Sequence, residues 1–425
     1  MESQQQQPTG AYRAWVVFIL ALLYFFYMLD RSAITITQEM IKQEFGLSDT
    51  QLGMLTGTLY GVSYALAGIP LGWAVDRANR RNLLAGILAI WSTLTVLSGL
   101  CSNMIQLALA RIGVGAAEAG GSPAALSILS DLFPPERRGT VSGLFYAGAS
   151  VGGIVSFLVG GWIAQEFGWR AVFIAFGTPG LLLAAALLLT VREPVRKEAR
   201  PARIAGGPGL LGQTLAVLRF PGLAALYAAT ALYMLSVAGA GTWTVPYLSR
   251  TFQLDMATIG LVMGLGAGVF GIIGQVGAGI VFDWANRFGP RGPLMVVAIG
   301  SVIHVAAVMV VLFATSLTVV IVALCLSGAT TSIQAGPTNA AISRIAPAAS
   351  MGTAFALYAV ISNVVGAGLG PVTVGALSDW LGGNSGSLRT AMVIVALVQL
   401  LAVVAYIRAA SHFARAVAAR DAASA

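Results

Sequence analysis

The sequence predicts an all-α polytopic membrane protein with twelve transmembrane helices in two pseudo-symmetric six-helix bundles. Three observations lead to this prediction: the composition, the length of the apolar stretches and an internal duplication. Of the 425 residues, 57% are hydrophobic and only 9% are charged, whereas about 25% of the residues in a soluble domain are charged. The apolar stretches are long enough to cross a bilayer, which takes about 20 residues each. A soluble enzyme, a disordered protein and a nucleic-acid-binding module are therefore excluded.

Hydropathy along the chain divides it into five parts. These are an N-terminal tail (1–13), a first set of six spans (14–191), a polar linker (192–220), a second set of six spans (221–409) and a C-terminal tail (410–425). The first six spans centre within 14–37, 51–75, 82–101, 105–129, 140–163 and 170–191. The second six centre within 221–247, 256–282, 293–314, 318–342, 353–377 and 388–409.

The two halves of the chain resemble each other. The second span ends in Gly-Trp-Ala-Val-Asp (72–76) and the eighth ends in Gly-Ile-Val-Phe-Asp (279–283), an offset of 207 residues. Proline-containing Gly-Thr segments precede the fifth and eleventh spans at a similar offset. A duplicated six-helix unit is typical of secondary transporters, which bind substrate near the bilayer midplane between their repeats.

The basic residues predict the orientation. With the N-terminus inside, eighteen of the 24 Lys and Arg residues lie at the cytoplasmic side. Four lie at the outer side: Lys42, Arg170, Arg250 and Arg389. Because basic residues favour the cytoplasmic side, both termini are predicted to be cytoplasmic. The net charge of +8 thus reflects topology rather than nucleic-acid binding, and the basic linker is either a solvated loop or attracted to anionic headgroups.

Four ionisable residues lie deep in predicted spans: Asp30 and Arg31 in the first, Arg111 and Glu118 in the fourth. Charges at such depth are costly and usually face a cavity or a partner, although a buried structural ion pair is the alternative. Asp30 lies about 24 Å along the first span and Arg111 lies about 9 Å from the outer end of the fourth. Asp30, Arg31 and Arg111 are therefore expected at similar depths, with a contact between Asp30 and Arg111.

Glu118 is the best candidate for a proton-binding group. It lies seven residues after Arg111, about 10.5 Å along the same helix face, and its neighbours are Gly and Ala. Desolvation favours the neutral carboxyl, whereas a nearby arginine favours the carboxylate. The four charges sum to zero when all are ionised and to +1 when Glu118 is protonated. The protonated site would therefore attract an anionic headgroup.

The second half has no charge deep in its spans. Its polar candidates for the cavity are Trp243, Thr330, Thr331, Gln334 and Asn363, for each of which helix-to-helix hydrogen bonding is an equal alternative. His304 is interpreted as structural rather than as a proton relay. A cavity that is charged on one wall and apolar on the other suits an amphiphile.

Several motifs resemble the major facilitator superfamily. The most specific is Gly72-Trp-Ala-Val-Asp76-Arg77-Ala-Asn79-Arg80-Arg81, which resembles the family's signature loop between helices two and three, except that Asn79 stands where glycine is usual. In that family the aspartate and arginines form a cytoplasmic gate latch with the other half of the protein. The resemblance implies this role for Gly72, Asp76, Arg77, Arg80 and Arg81.

Leu29-Asp30-Arg31 together with Arg-Ile-Gly-Val-Gly-Ala-Ala-Glu-Ala (111–119) resembles the spinster branch of that superfamily. Its better-known members move lysophospholipids and sphingosine phosphate, and its bacterial members are thought to be proton-linked. This resemblance implies that Asp30, Arg31, Arg111 and Glu118 handle substrate and protons. The glycine-rich fifth span (143–153) lacks the proline of the family's antiporter motif, so antiport stays open.

The expected function is therefore alternating-access transport of an amphiphilic anion such as a lysophospholipid, coupled to protons, in the cell inner membrane. The expected partners are the lipid bilayer, the substrate and protons, and the expected state is a monomer without metal or cofactor. A small organic anion or a hydrophobic drug stays open as the substrate. A channel would favour charge rings or a continuous polar pore, whereas the charges here are confined to one half of the chain. An enzyme would need a nucleophile paired with a base, and the sequence offers no such pair, so both classes are disfavoured.

Overall fold

The computed structural model describes residues 9–196, 210–346 and 350–424. Throughout these residues the regular secondary structure is helical. In chain order the helices of the first half are α1 (Gly10–Phe45), α2 (Asp49–Arg77), α3 (Arg80–Ser98), α4 (Met104–Glu118), α5 (Gly121–Leu132) and α6 (Pro135–Thr190). Those of the second half are α7 (Leu210–Leu218), α8 (Pro221–Phe252), α9 (Met256–Phe288), α10 (Gly292–Phe313), α11 (Leu317–Ile345), α12 (Met351–Trp380) and α13 (Ser385–Ser424).

The predicted all-α membrane fold is confirmed. Ten helices in the described part of the chain are long and apolar enough to cross a membrane. The longest, α6, contains two of the predicted spans. They are separated by a kink at Gly168, which adopts a φ of 81°. The predicted fourth span is present as α4 and α5, which are separated at Ala119 and Gly120. All twelve predicted spans therefore have a helical counterpart.

The helix boundaries differ from the predicted spans mainly at polar segments. α1 continues beyond residue 37 to Phe45, α7 lies within the predicted linker, and α13 continues through the predicted C-terminal tail to Ser424. The tail is rich in alanine, which has the highest intrinsic helix propensity. Hydropathy marks the apolar part of a helix and misses such polar extensions.

Side-chain caps fix several helix starts. Asn79 begins α3 by accepting a hydrogen bond from the Asn82 N–H at 2.9 Å, and Asn103 begins α4 in the same way. Ser48 and Gln51 form a reciprocal capping box at the start of α2. Such caps satisfy backbone N–H groups that have no partner inside the helix.

The chain forms two compact units. Among the described residues, the first consists of residues 9–37 and 62–196, and the second of residues 38–61, 210–346 and 350–424. The core of the first unit surrounds Trp91 and Phe145, and that of the second surrounds Tyr233 and Tyr406. The last part of α1 and the start of α2 thus belong to the first half of the sequence but pack in the second unit.

Glycine allows close helix packing inside each unit. In the first unit, a Cβ atom at Gly148 or Gly152 of α6 would lie within 3.0 Å of the α1 backbone at Ala21 or Phe25. Small residues at such contacts let two helix backbones approach each other. The glycines of the predicted fifth span therefore have a packing role against α1.

Two of the three π-helical segments in the described residues occupy corresponding places in the two halves: Met54–Thr58 in α2 and Val262–Val269 in α9. The third, Ile361–Leu369 in α12, has no π-helical counterpart in α6. The starting residues of the corresponding pair differ by 208 positions, close to the offset between the sequence repeats. The duplication inferred from the sequence is therefore also present in local backbone geometry.

Candidate functional site

The intramembrane charges lie on α1 and α4 of the first unit. Glu118 is the last residue of α4, immediately before the break that separates α4 from α5. A Cβ atom at Gly121 would lie 3.2 Å from the Trp91 ring, so the lack of side chains at the break lets α3 approach. Interrupted helices are a common way to build ion and substrate sites inside membranes.

Asp30 lies at the centre of a buried polar cluster. Asp30, Arg111 and Glu118 are 0%, 1% and 1% exposed, and Asp30 interacts electrostatically with both of the others. The structure therefore brings Asp30 together with Arg111, which the sequence placed at a similar depth, and with Glu118. Two carboxyl groups beside one arginine are an arrangement in which protonation of either carboxyl changes the net charge of the cluster.

Trp91 and Thr95 of α3 are the side-chain donors nearest to Asp30. Neither forms a hydrogen bond of normal geometry with it, and among the described residues both oxygens of the Asp30 carboxyl lack such a bond. A buried carboxyl without full hydrogen bonding is costly. The surroundings of Asp30 are thus suited to a group that changes its partners or its protonation.

Arg31 lies in an aromatic environment. Its Nη1 donates to the Tyr27 hydroxyl at 3.0 Å, and the Tyr24 ring stacks on Tyr27 at a centroid distance of 5.0 Å. Tyr64 of α2 interacts electrostatically with both Arg31 and Glu118. An arginine among tyrosine rings combines a positive charge with apolar walls and hydroxyl groups.

The sequence reasoning missed these tyrosines and the α3 residues. A signal was present, because Tyr24, Tyr27 and Arg31 follow each other at spacings of three and four residues and so share one helix face. Trp91 and Thr95 are spaced by four residues on α3 in the same way. The contribution of Tyr64 depends on packing between helices and has no local signal.

The loop between α2 and α3 is anchored inside the first unit by Arg80, which is 1% exposed. Its Nε donates to Glu193 at 2.7 Å and its Nη2 donates to the Pro194 carbonyl at 2.9 Å. Its Nη1 is paired with Asp131 at the end of α5. The Arg81 N–H donates to the second oxygen of Glu193 at 2.8 Å, so the start of α3 is tied to the end of α6.

The other residues of this loop are also placed by contacts within the first unit. Arg196 donates to the backbone carbonyls of Val75, Asp76 and Ala78 at the end of α2. The Arg77 guanidinium lies over the Trp73 ring, 4.2 Å from its centroid. Gly72 faces open space. The departure at Asn79 has a local explanation, because its side chain caps α3.

The polar candidates of the second half fall into different environments. Trp243 donates from its indole N–H to the Pro371 carbonyl at 2.8 Å, and Gln334 donates to Thr338 at 2.9 Å, both in buried positions. Asn363 donates to Ala359 within its own helix. Thr331 lines a cavity inside the second unit.

A further charged cluster joins α1 and α2 to the second half of the chain, all within the second unit. The buried Asp49 carboxylate accepts two hydrogen bonds from Arg250, at 2.8 and 3.0 Å, and one from Ser378 at 2.6 Å. It is also paired with Lys42. In return, Asp379 accepts from the backbone N–H of Asp49 at 3.0 Å.

The sequence reasoning treated Lys42 and Arg250 only as outer-side charges. Lys42 pairs with Asp49 seven residues later, but the partners of Arg250 are 201 and 211 residues away, so no local spacing indicates the whole cluster. The capping box at Ser48 is the one local signal, because it marks a helix start where a carboxylate is favoured.

The described residues contain no group of three or more His, Cys, Asp or Glu side chains placed to hold a metal ion.

The fold and the sequence together define the class of protein. The chain belongs to the major facilitator superfamily, whose family model matches residues 20–371, and it is a secondary transporter rather than an enzyme. Within the superfamily it is spinster-like. It is similar to the crystal structure of a bacterial homolog of the human lysosomal transporter Spinster in an inward-facing, unoccupied conformation, with a TM-score of 0.83, 26% identity, and coverage of 96% of this chain and 99% of that one.

Two curated relatives show the range of names attached to similar chains. An "MFS-type efflux pump" of Mycolicibacterium smegmatis is 31% identical over 413 residues, which cover 96% of this chain and 95% of that protein. A "Probable L-galactonate transporter" of Escherichia coli is 29% identical over 271 residues, covering 61% of this chain and 59% of that protein.

Proposed function

We propose that this protein is a proton-coupled carrier that moves an amphiphilic anion, such as a lysophospholipid, by alternating access. The observation that carries the proposal is the buried cluster of Asp30, Arg111 and Glu118, with Arg31 close by among tyrosines. Charged side chains inside a membrane are energetically costly, so they are rare where they have no function. Their concentration in one region of one unit therefore supports a role in transport.

In this proposal Glu118 binds the transported proton. Its protonation raises the summed charge of the four residues from zero to +1, which attracts an anionic headgroup. Loss of the proton restores the negative charge next to Asp30 and releases the anion. Arg111 is the group that both carboxylates compete for, so the two ionisation states favour different arrangements of its guanidinium.

Arg31 is the proposed headgroup-binding residue. Its guanidinium pairs well with phosphate or carboxylate oxygens, and the hydroxyl of Tyr27 holds it in place. The rings of Tyr24 and Tyr64 supply amphipathic surface for the glycerol and chain regions of a lipid. The aromatic surroundings of Arg31 are what favours an amphiphile over a sugar acid.

The signature loop is the proposed cytoplasmic gate. When the cytoplasmic side is closed, the loop contacts the second half of the protein through Asp76, Arg77 and Arg81. Gly72, which has no side chain, allows the two halves to approach each other closely. Arg80 acts differently: its contacts with Asp131 and Glu193 position the loop. This follows from its burial inside the first unit.

Two alternatives have specific support. The name of the L-galactonate relative favours a small organic anion, and that of the efflux pump favours an exported drug. Both would use the same cluster. The further proposals are that Thr330, Thr331, Gln334, Asn363 and Trp243 shape the cavity wall in the second half, and that the carrier acts as a monomer in the inner membrane.

A binding screen separates these substrates. Purified protein is titrated with lysophosphatidylcholine, lysophosphatidylglycerol and L-galactonate at pH 5.5 and pH 7.5, with the Glu118→Gln variant in parallel. We expect saturable binding of anionic lysolipid that is tighter at low pH in the wild type and independent of pH in the variant. Preferential binding of L-galactonate would replace the lipid assignment, and equal pH dependence in both proteins would contradict the role of Glu118.

A further inference from the structure

The second unit contains a cavity that shares Thr331 with the cavity wall proposed above but includes none of the charged residues assigned to substrate and protons. It has a volume of about 120 Å³ and lies among α8, α9, α10, α11 and α13. Most of its lining is apolar, including Met263, Val308, Leu312 and Met392. An apolar cavity of about 150 Å³ binds benzene, and this cavity is somewhat smaller, so a single small ring is the largest ligand that it is expected to hold.

His304 provides one acceptor in the cavity wall. Its Nδ1 lies 3.3 Å from the Ser327 carbonyl and 3.2 Å from the Thr330 hydroxyl. A carbonyl oxygen only accepts hydrogen bonds, so Nδ1 carries the proton in this arrangement. In the neutral ring Nε2 is then an acceptor.

Two threonines add further acceptors. The Thr244 hydroxyl donates to the Ala240 carbonyl at 3.0 Å, and the Thr331 hydroxyl donates to the Ser327 carbonyl at 2.8 Å. Each hydroxyl has one proton, which is used in these bonds, and keeps lone pairs that accept.

Ser327 is the donor of the lining. Its hydroxyl lies 3.5 Å from Nδ1 of His304, and because Nδ1 holds its own proton, the serine proton stays available. The polar wall thus offers several acceptors and one donor. A ligand hydroxyl, which both donates and accepts, matches this set.

The lack of charged side chains in the lining excludes anionic ligands. The described residues that line the cavity include no Lys, Arg, Asp or Glu side chain. A carboxylate or phosphate would therefore lose its hydration without gaining a cationic partner. We propose that this cavity is a binding site for a small neutral alcohol or phenol, whose ring lies among the apolar side chains and whose hydroxyl donates to His304 and accepts from Ser327.

Gly241 offers a way to fill the site. It lines the cavity, and a Cβ atom placed on it would meet no other atom within 4 Å. Gly241→Leu therefore adds volume in the cavity without a backbone clash. Gly277→Leu is the matched control, because Gly277 of α9 is equally open and does not line the cavity.

The test uses fluorine NMR on the full chain in lipid nanodiscs, with 4-fluorophenol as the probe. The wild type and Gly277→Leu are expected to bind it saturably, and Gly241→Leu is expected to bind at least tenfold more weakly. His304→Phe is expected to weaken 4-fluorophenol about three- to tenfold, the effect of one hydrogen bond, while leaving fluorobenzene binding unchanged.

Three results would overturn the proposal. These are absence of saturable 4-fluorophenol binding in the wild type, equal binding in Gly241→Leu, and binding of 4-fluorobenzoate as strong as that of the phenol. The measurement needs no transport substrate, so its result is independent of whether the protein transports lysolipids.

Discussion

At Asp30 the chain places a fully buried carboxyl whose oxygens, among the described residues, lack hydrogen bonds of normal geometry. The nearby arginine is Arg111, which also lies on the helix that carries Glu118. Two acids beside one base give the cluster a charge that depends on a single proton. The physical basis of the proposed coupling is therefore this competition rather than any one residue.

Removing the base tests this dependence. Arg111→Gln leaves Arg31 as the one cation of the four-residue set and gives the set an excess of negative charge, and removing one partner of a buried charge pair costs about 3–5 kcal/mol. We expect a lower melting temperature in detergent and loss of transport. Adding Asp30→Asn to this variant restores neutrality, so the melting temperature should recover while transport stays absent. A double variant as unstable as the single one would contradict the charge-balance explanation.

The headgroup role of Arg31 predicts a different result. Arg31→Gln should raise the KM for anionic lysolipid about tenfold or more, because a charge-assisted hydrogen bond is lost. Its melting temperature should stay near that of the wild type, since Arg31 is only partly buried. Tyr27→Phe, which removes only the hydroxyl that holds Arg31, is the matched control and should have a smaller effect. An unchanged KM in Arg31→Gln would remove this residue from the substrate site.

At the scale of helices, the sequence predicts the existence of elements better than their ends. Apolar runs located every span, and the motif residues at Asp30 and Glu118 were found because charge is rare in those runs. The break after Glu118 went unpredicted, since it depends on backbone geometry, whereas the junction at Gly168 lies in the predicted gap between residues 163 and 170. The Asp49 cluster joins residues about 200 and 330 positions apart, which no local pattern records.

The Asp49 cluster should be a main stabilising contact of the second unit. Asp49→Asn removes the buried carboxylate that Arg250 and Lys42 share and leaves Glu39 as the remaining partner of Arg250. We therefore expect a loss of about 3 kcal/mol in unfolding free energy, the low end of the range for breaking a buried ion pair. Asp255→Asn is the control, because Asp255 only caps α9 and asparagine caps about equally well. Equal melting temperatures for the two variants would show that the buried pair contributes little.

The cap at Asp255 also has a defined pH dependence. Hydrogen bonds from the backbone and hydroxyl of Thr258 hold the pKa of Asp255 below its usual value. A lowered pKa means that the cap's contribution is fully present above about pH 4, the unfolded value. It is lost only as pH falls through the folded pKa. Thermal unfolding of wild type and Asp255→Ala should therefore differ most at pH 6, and the difference should shrink as the pH is lowered below about 4.

Close packing of α1 and α6 gives a further test with a matched pair of glycines. Gly148→Ala places a methyl group against the Ala21 carbonyl, whereas Gly143→Ala meets open space. We expect the first to lower the free energy of unfolding by about 1–3 kcal/mol and the second to be neutral or slightly stabilising. Comparable melting temperatures would contradict the close approach of these two helices.

At the scale of the whole molecule, two six-helix halves derive from one repeated unit but have diverged in chemistry. The first carries the buried charges, and the second carries an apolar cavity with a few hydrogen-bonding groups. Alternating access needs a site whose affinity changes between two states. In the proposed mechanism, a proton on Glu118 supplies that change in the first half, without any ionisable residue in the second half having to take part.

The distribution of basic residues predicts that both termini are cytoplasmic. In a variant with both native cysteines replaced, single cysteines introduced near either end should react with a membrane-impermeant thiol reagent only after the cells are opened. A cysteine introduced near Asp255, on the predicted outer side, should react in intact cells. Labelling of either terminus in intact cells would contradict the predicted orientation.

The most direct test of the central claim is lysophospholipid flux in proteoliposomes under an imposed pH gradient. For wild type we expect flux that follows the gradient and collapses when a protonophore is added. For Glu118→Gln we expect flux that ignores both the gradient and the protonophore. Gradient-driven flux retained in Glu118→Gln would contradict the account.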